Sequence, residues 1–353
     1  MMSEQIQNAL KAHRKREFKR FVIIISFLAV AFISLIFDIA TGPSLLPPRE
    51  VLDALLSPFF DDISVDETTL AIVFDLRLPI ALMALVVGGA LGVGGAEIQT
   101  LLNNPMASPY TLGLAAAAGF GASLVIAFGS FGLPLLFAVP VGAFVMTMLS
   151  AAVLFSFAAM RRFSSATLVL VGIALLFLFQ SLLSLVQFLS SPEISQLILF
   201  WLFGSLQKAN WINLAVIFAV STLCIALLLK DSWKLTALRL GEARAKSMGV
   251  NLNALRFRTL LIVSIMTATA ISFVGVIGFI GLVAPHIART LVGEDQRFFL
   301  PSAMFCGAAF LSIASVLSKI IIPGALFPVG IVTSFVGVPF FFWIILSKRK
   351  SVC

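Results

Sequence analysis

Charged and catalytically versatile residues are scarce in this chain. Only 11% of its 353 residues are Asp, Glu, Lys or Arg, and it contains three cysteines, two histidines and one tyrosine. Cys224, Cys306 and Cys353 are too widely spaced to indicate a disulfide framework. With His13 and His286 as the only histidines and with dispersed acids, we expect no metal site built from this chain alone.

Sequence patterns for nucleotide binding and covalent catalysis are also missing. The chain has no GxxxxGK[ST], HExxH or GxSxG pattern. A glycine-rich GVGGAE occurs, but it lies in an apolar stretch without a flanking strand, which argues against a phosphate cradle. We therefore predict that the chain is not an enzyme and binds no cofactor. Its energy must come from an ion gradient or from a partner protein.

Long apolar stretches dominate what is present. Hydrophobic residues make up 60% of the chain, and the mean hydropathy is +1.10. Apolar windows of about 18 residues or more recur, which is typical of membrane-spanning helices. A net charge of +8 could indicate nucleic-acid binding, but the basic residues flank the apolar stretches and are better explained by membrane topology. The chain is thus predicted to be an all-α polytopic membrane protein that binds no nucleic acid.

About ten transmembrane helices can be placed on the chain, although an eight-span arrangement stays open because the third and eighth spans are short. Between the first two spans, an acidic loop contains a VLDALL piece that could form an interfacial helix, and residues 190–211 form an apolar external segment too short to cross. The predicted spans cover about 21–40, 79–102, 112–128, 135–160, 168–189, 212–229, 259–276, 277–292, 300–322 and 329–346.

The distribution of Lys and Arg predicts that both termini are cytoplasmic. Of the 24 basic residues, four lie outside or near the outer surface, and the other 20 fall in five predicted cytoplasmic regions. The four exceptions are Arg49, Arg77, Lys208 and Lys319. The predicted organisation is a basic segment 1–20, one transmembrane domain 21–347 that includes a large basic insert 230–258, and a tail 348–353, all in a bacterial cytoplasmic membrane.

The basic insert favours a partner protein as the energy source. Ion-coupled carriers usually keep ionisable residues at mid-membrane, and only Glu97 qualifies here, about two turns from the cytoplasmic end of its span. An ion-coupled secondary transporter is therefore the weaker alternative. A helix-forming cytoplasmic insert is a surface that a separate ATPase subunit could bind.

Several segments together resemble the FecCD family of permeases, the membrane subunits of type II ABC importers. The resemblance covers about residue 76 to the C-terminus. The matching segments, in the order typical of the family, are LRLP, GALGVGGAEIQTLLNNPMASPYTLG, WLFGSL, LGEARAKSMGV, GFIGLVAPHIARTLVGEDQR and PVGIVTSFVGVPFFFW.

This resemblance implies a BtuC-like permease fold and a multisubunit machine. The implied partners are a second permease subunit, two ATPase subunits that bind ATP and Mg²⁺, an extracytoplasmic binding protein and membrane lipid. The expected cargo is a ferric siderophore, and haem or cobalamin in the same machine is the alternative.

The family's coupling segment, which contacts the ATPase, corresponds to residues 240–250. The alternative is that these residues form only a solvated basic loop. Gly249 is expected to end a short helix, and Ala243, Ala245, Met248 and Val250 are expected to form a small docking surface. The full set of predicted coupling residues is Leu240, Gly241, Glu242, Ala243, Arg244, Ala245, Lys246, Met248, Gly249 and Val250.

Two further sets of residues follow from the resemblance. Four basic residues are predicted to dock the binding protein: Arg77, Lys319, Arg49 and Lys208. The alternative is that they anchor the protein to lipid headgroups at the interface.

In relatives the region between spans four and five narrows the pathway, and a helix N-cap is the alternative role for its serines. The intramembrane polar residues could line the pathway or bond neighbouring helices. The predicted pathway and gate residues are Glu97, Gln99, Ser164, Ser165, Thr167, Gln180 and Gln187.

Overall fold

The computed structural model describes residues 2–42, 46–58, 60, 65–130, 132–160, 164–322 and 327–348. Arg161, Arg162, Arg349 and Lys350, four of the predicted cytoplasmic markers, lie outside these residues. The described part of the chain is helical and contains no strand. This confirms the all-α fold that the apolar stretches predicted.

In the first half of the chain the described residues form seven α-helices, with a wider π-helical segment (Ile72–Arg77) directly before the fourth. These helices are α1 (Met2–Ala40), α2 (Pro48–Leu56), α3 (Glu67–Ala71), α4 (Leu78–Leu102), α5 (Leu114–Phe128), α6 (Leu135–Met160) and α7 (Ser165–Leu189).

The second half continues with eight more. They are α8 (Pro192–Leu202), α9 (Trp211–Lys230), α10 (Ser232–Arg239), α11 (Glu242–Ser247), α12 (Leu252–Val274), α13 (Ile280–Val292), α14 (Gln296–Ile320) and α15 (Val329–Lys348). Helices α2 and α8 coincide with the VLDALL piece and the apolar segment within residues 190–211, whose interfacial and external positions stay predictions.

Seven helical segments in the described residues are long and apolar enough to cross a membrane. Three shorter apolar helices, Leu114–Phe128, Ile280–Val292 and Val329–Trp343, coincide with the predicted third, eighth and tenth spans. The multi-pass architecture is confirmed, whereas the number ten and the cytoplasmic position of both termini stay predictions.

Helix α4 is the buried centre of the bundle and packs against α12, α13 and α14. Its glycines allow this because neighbouring backbones approach too closely for a side chain. A Cβ on Gly88 would lie 2.4 Å from the carbonyl oxygen of Gly307, and one on Gly92 would lie 2.3 Å from that of Ala303. The close approach predicted for the Gly88/Gly92 pair is thus present, with α14 as its partner.

Gly95 makes the tightest of these contacts, and its substitution is expected to disrupt the bundle. A Cβ at this position would lie 1.8 Å from the carbonyl oxygen of Gly281 in α13, so Gly95→Ala must push α4 and α13 apart. Overpacking of a tight core typically costs about 1–3 kcal/mol. We expect Gly95→Ala to have a lower melting temperature in detergent than Gly129→Ala. The Gly129 site has open space around it, so that control variant tests only the backbone effect of alanine at a positive φ. Equal melting temperatures of the two variants would contradict this packing.

Candidate functional site

The insert between α9 and α12 forms two short helices separated by glycine turns. Gly241, between α10 and α11, has φ +111°, and Gly249, after α11, has φ +80°. Only glycine adopts such angles readily. The amide of Gly249 donates to the carbonyl of Lys246 (2.9 Å), and that of Val250 donates to the carbonyl of Ala245 (3.1 Å). Gly249 therefore lies just beyond the end of a short helix, as the sequence predicted.

The exposed surface of this coupling segment differs from the predicted one. Leu240 and Met248 are 56% and 53% exposed, and Ala243 is exposed as well. Ala245 and Val250, predicted to lie on the docking surface, are buried at 0% and 5% because they pack into the hydrophobic core beside α12. The outward surface of the coupling segment thus combines two large apolar side chains, one on each side of α11, with the charges of Glu242, Arg244 and Lys246 on α11 itself.

Ion pairs hold the coupling segment against the rest of the bundle. Glu242 Oε1 lies 2.6 Å from Arg256 Nη2 at the start of α12, and this hydrogen bond lowers the pKa of the Glu242 carboxyl. Asp231, buried between α9 and α10, pairs with Lys234 (2.9 Å) and Arg258 (3.2 Å). Arg256 of α12 therefore anchors the first turn of α11.

Arg239 extends these contacts to two neighbouring turns. Its guanidinium donates to Asn103 Oδ1 in the turn after α4 and to Glu294 Oε1 in the turn before α14. Asn103 adopts a left-handed conformation (φ +47°) that ends α4. The insert is consequently linked to α4 and α14 through Arg239 of α10 and to α12 through Glu242 of α11, so a displacement of these two short helices would pull on the core of the bundle.

A cavity of about 630 Å³ opens among α4, α5, α8, α12, α13 and α15. No described residue of its lining carries a charged side chain. The walls are largely apolar, and five residues add hydroxyl groups: Ser108, Tyr110, Thr111, Thr267 and Ser334. Such walls suit the passage of a bulky molecule that must not be held tightly.

Phe279 forms a strained part of the cavity wall. It has φ +65°, which is unusual for a residue with a side chain. Gly337 of α15 faces it so closely that a Cβ there would lie 2.4 Å from Phe279 Cβ. This close contact between Gly337 and Phe279 joins the start of α13 to α15 in the cavity wall. In the sequence, the GFIG segment is part of a motif that resembles the family, but no sequence pattern indicates the positive φ of Phe279.

None of the predicted pathway residues lines this cavity. Gln180 is exposed on α7 and Gln187 is half-buried there, while Gln99 is fully buried behind the wall, with Nε2 donating to the carbonyl of the lining residue Leu282 at 3.5 Å. Gln99 therefore bonds a neighbouring helix, one of its two predicted alternatives. Glu97 is 0% exposed, and its carboxylate oxygens have no hydrogen-bond partner among the described residues.

The predicted gate residues lie at the start of α7. Ser164 occupies the N-cap position, and its carbonyl accepts from the amide of Leu168 (3.1 Å), but its side chain makes no capping bond. Ser165 and Thr167 are half-buried. His286 packs its ring against Phe340, with 6.2 Å between the ring centroids.

Arg77 and Lys319 are buried, which disagrees with their predicted role in docking the binding protein. Arg77 is 6% exposed, and its Nη1 donates to the carbonyls of Ile39 and Ala40 (3.0 Å each). Lys319 is 8% exposed, and its Nζ lies 2.7 Å from Asp38 Oδ1 and 2.9 Å from the Asp38 carbonyl. Both cations thereby satisfy carbonyls at the C-terminal end of α1, where positive charge is favoured.

Arg49 and Lys208 keep the exposure that a docking role requires. The Arg49 side chain is 91% exposed and lies 3.9 Å from Asp53, and Lys208 is exposed on the same side of the bundle, in the segment after α8. Sequence reasoning missed the Asp38–Lys319 pair. Its signal was the presence of one acid and one base near the same predicted end of two spans.

The comparisons with known proteins agree with this architecture. Residues 28–347 match the model of the FecCD transport family. The chain is 36% identical over 280 residues to the hemin transport system permease protein HmuU of Yersinia pestis, covering 78% of this chain and 84% of that protein. It is 32% identical over 306 residues to the vitamin B12 import system permease protein BtuC of Vibrio vulnificus, covering 85% and 89%.

A solved structure described as an inward-facing conformation of a metal-chelate type ABC transporter superposes with a TM-score of 0.80 at 29% identity, covering 92% of this chain and 99% of that one. Family match, relatives and structure all extend over most of the chain. The chain is therefore a member of the FecCD transport family, a multi-pass permease of the cytoplasmic membrane related to those of type II ABC importers.

Proposed function

We propose that this permease imports a ferric siderophore, delivered by a binding protein and driven by ATP hydrolysis on partner ATPase subunits. The single observation that carries the proposal is the cavity of about 630 Å³, whose described lining has hydroxyl groups but no charged side chain. A siderophore already satisfies its iron, so the pathway needs size and weak polar contacts rather than metal ligands. The likeness to a metal-chelate type transporter supports the same cargo class.

Two copies of a permease, identical or paralogous, enclose the pathway in this proposal. ATP binding and hydrolysis on the partner ATPases move α10 and α11. The Glu242–Arg256 ion pair transmits this movement to α12, and the hydrogen bond from Arg239 to Asn103 transmits it to the end of α4. Arg49 and Lys208 contact the binding protein at the opposite face. Glu97 has no assigned step, because it lines no part of the cavity.

Haem and cobalamin are the alternative cargoes, favoured by the relatives that import hemin and vitamin B12. Proteoliposomes containing the chain with its co-purifying ATPase and binding protein distinguish the three. We expect ATP-dependent, vanadate-sensitive accumulation of ⁵⁵Fe-labelled ferric siderophore, with no accumulation of haem or cobalamin. If only haem or cobalamin accumulated, the siderophore assignment would be wrong, but the assignment as an ATP-driven importer would hold.

The ion-coupled alternative gives a different outcome in the same vesicles. Uptake that needs no ATPase subunit and stops when an uncoupler collapses the proton gradient would contradict an ATP-driven importer. The uncoupler should leave ATP-dependent uptake unchanged if the proposal is correct. Vesicles without ATP are the control for passive binding.

A further inference from the structure

A second cavity, of about 340 Å³, lies on the membrane-facing side of the bundle, away from the proposed pathway. Helices α1, α4, α9 and α14 line it, and we call it the α1–α9 groove. Leu28 and Phe32 of α1 form one wall and are 43% and 60% exposed, and Phe218 of α9, 57% exposed, stands opposite. The floor is the glycine-containing face of α4 at Gly89. The groove is therefore apolar, and the exposure of its walls would open it to the hydrocarbon of a membrane.

Two arginines lie about two helical turns from residues that line the groove. On α1, Arg20 precedes Leu28 by eight residues, a separation of about 12 Å along the helix at 1.5 Å per residue. On α14, Arg297 likewise lies two helical turns before Met304, which also lines the groove. A molecule lying in the groove would thus have one end directed towards these arginines.

The end of the bundle below the groove carries an excess of positive charge. Arg20 Nη1 lies 3.8 Å from Asp295 Oδ2, and Arg297 Nη2 lies 2.8 Å from the same oxygen. Both guanidinium groups also stack on Phe298, at 5.4 and 5.7 Å from its ring centroid. The single carboxylate of Asp295 therefore pairs with both arginines and cannot neutralise both charges. Arg16, one turn before Arg20 on the same face, is exposed.

We propose that an anionic phospholipid binds here, with one acyl chain in the α1–α9 groove and its phosphate contacted by Arg16 and Arg20. Among Arg16, Lys19, Arg20 and Arg297 there are four positive charges, and Glu17 and Asp295 supply two negative ones, which leaves +2. Basic residues beside a membrane helix attract anionic headgroups, and arginine forms paired hydrogen bonds to phosphate. A zwitterionic lipid would fill the groove but gain less from these cations.

Native mass spectrometry of the full-length chain in detergent tests the proposal. With phosphatidylglycerol and phosphatidylcholine as probes, we expect one phosphatidylglycerol to be retained preferentially. Thr222→Trp fills the groove from its exposed α9 wall and should abolish that retention. Leu223→Trp is the matched control, because Leu223 is 62% exposed on the same helix outside the groove. Equal retention by both tryptophan variants would overturn the groove assignment.

The arginines provide an independent arm that leaves the apolar groove intact. Arg16→Gln with Arg20→Gln should remove the preference for phosphatidylglycerol over phosphatidylcholine. The charge-matched control, Arg14→Gln with Lys15→Gln, changes residues off the Arg16–Arg20 face of the same segment and should keep the preference. A preference unaffected by the first pair, or displacement of the bound lipid by inorganic phosphate alone, would contradict a phospholipid site.

Discussion

Glu242→Arg is expected to uncouple the permease from its ATPase partner. The substitution places a cation against Arg256, whose side chain is only 6% exposed, and the 2.6 Å contact becomes a repulsion. Like charges at this distance and partial burial are strongly unfavourable, so α11 should leave its position and expose Ala245. We expect the ATPase to be lost from the purified complex and cargo-stimulated ATP hydrolysis to fall to background.

A charge swap distinguishes this contact from a general defect. Glu242→Arg combined with Arg256→Glu restores the ion pair in reverse and should recover at least part of ATPase binding. Glu50→Arg, an exposed acid on α2, is the matched control with the same change in net charge. If Glu242→Arg retained the ATPase in full, the assignment of residues 240–250 as the coupling segment would be wrong.

The same contact predicts how the complex responds to pH. The hydrogen bond from Arg256 lowers the pKa of Glu242, so its stabilising effect is present above the ordinary glutamate pKa and is lost as the pH falls through the lowered value. We expect ATPase association to be unchanged from neutral pH down to the ordinary range of glutamate and to weaken only in stronger acid. Glu242→Gln should remove this acid step.

Lys319→Met is expected to destabilise the bundle strongly. The substitution removes the charge that lies 2.7 Å from Asp38 Oδ1, and Asp38 is 0% exposed. Ser315 Oγ donates to the same carboxylate oxygen at 2.8 Å and cannot neutralise it. Removing one partner of a buried ion pair typically costs about 3–5 kcal/mol, because the other charge stays buried without compensation. A markedly lower melting temperature in detergent should result.

The double variant separates this structural role from docking. Asp38→Asn with Lys319→Met removes both charges and should recover most of the lost stability. Each replacement is neutral and close in size to the original side chain, so no buried charge is left unpaired. Binding-protein affinity should follow Arg49→Glu and Lys208→Glu instead, because those two cations are exposed. Normal stability of Lys319→Met with reduced binding-protein affinity would restore Lys319 to the docking surface.

Helix positions were predictable from the sequence, but several helix ends were not. The first span was predicted from residue 21, whereas α1 begins at Met2, because the polar, charged residues before the span also favour a helix. Helix α12 begins at Leu252 rather than at residue 259, since Asn251 caps it by accepting from the amide of Ala254 at 3.1 Å. Hydropathy marks where a helix enters the membrane and does not mark where it starts.

The sequence by itself determined the helical class, the multi-pass architecture and the short helix before Gly249, because apolar runs and glycine turns act locally. Only the tertiary structure decided which buried charges meet. Asp38 and Lys319 pair across 281 residues of sequence, and no local pattern shows which helices are neighbours. Burial placed Arg77 and Lys319 at the end of α1 and placed Ala245 and Val250 in the core. The cavity wall is formed by residues of six helices, which come together only when the chain packs.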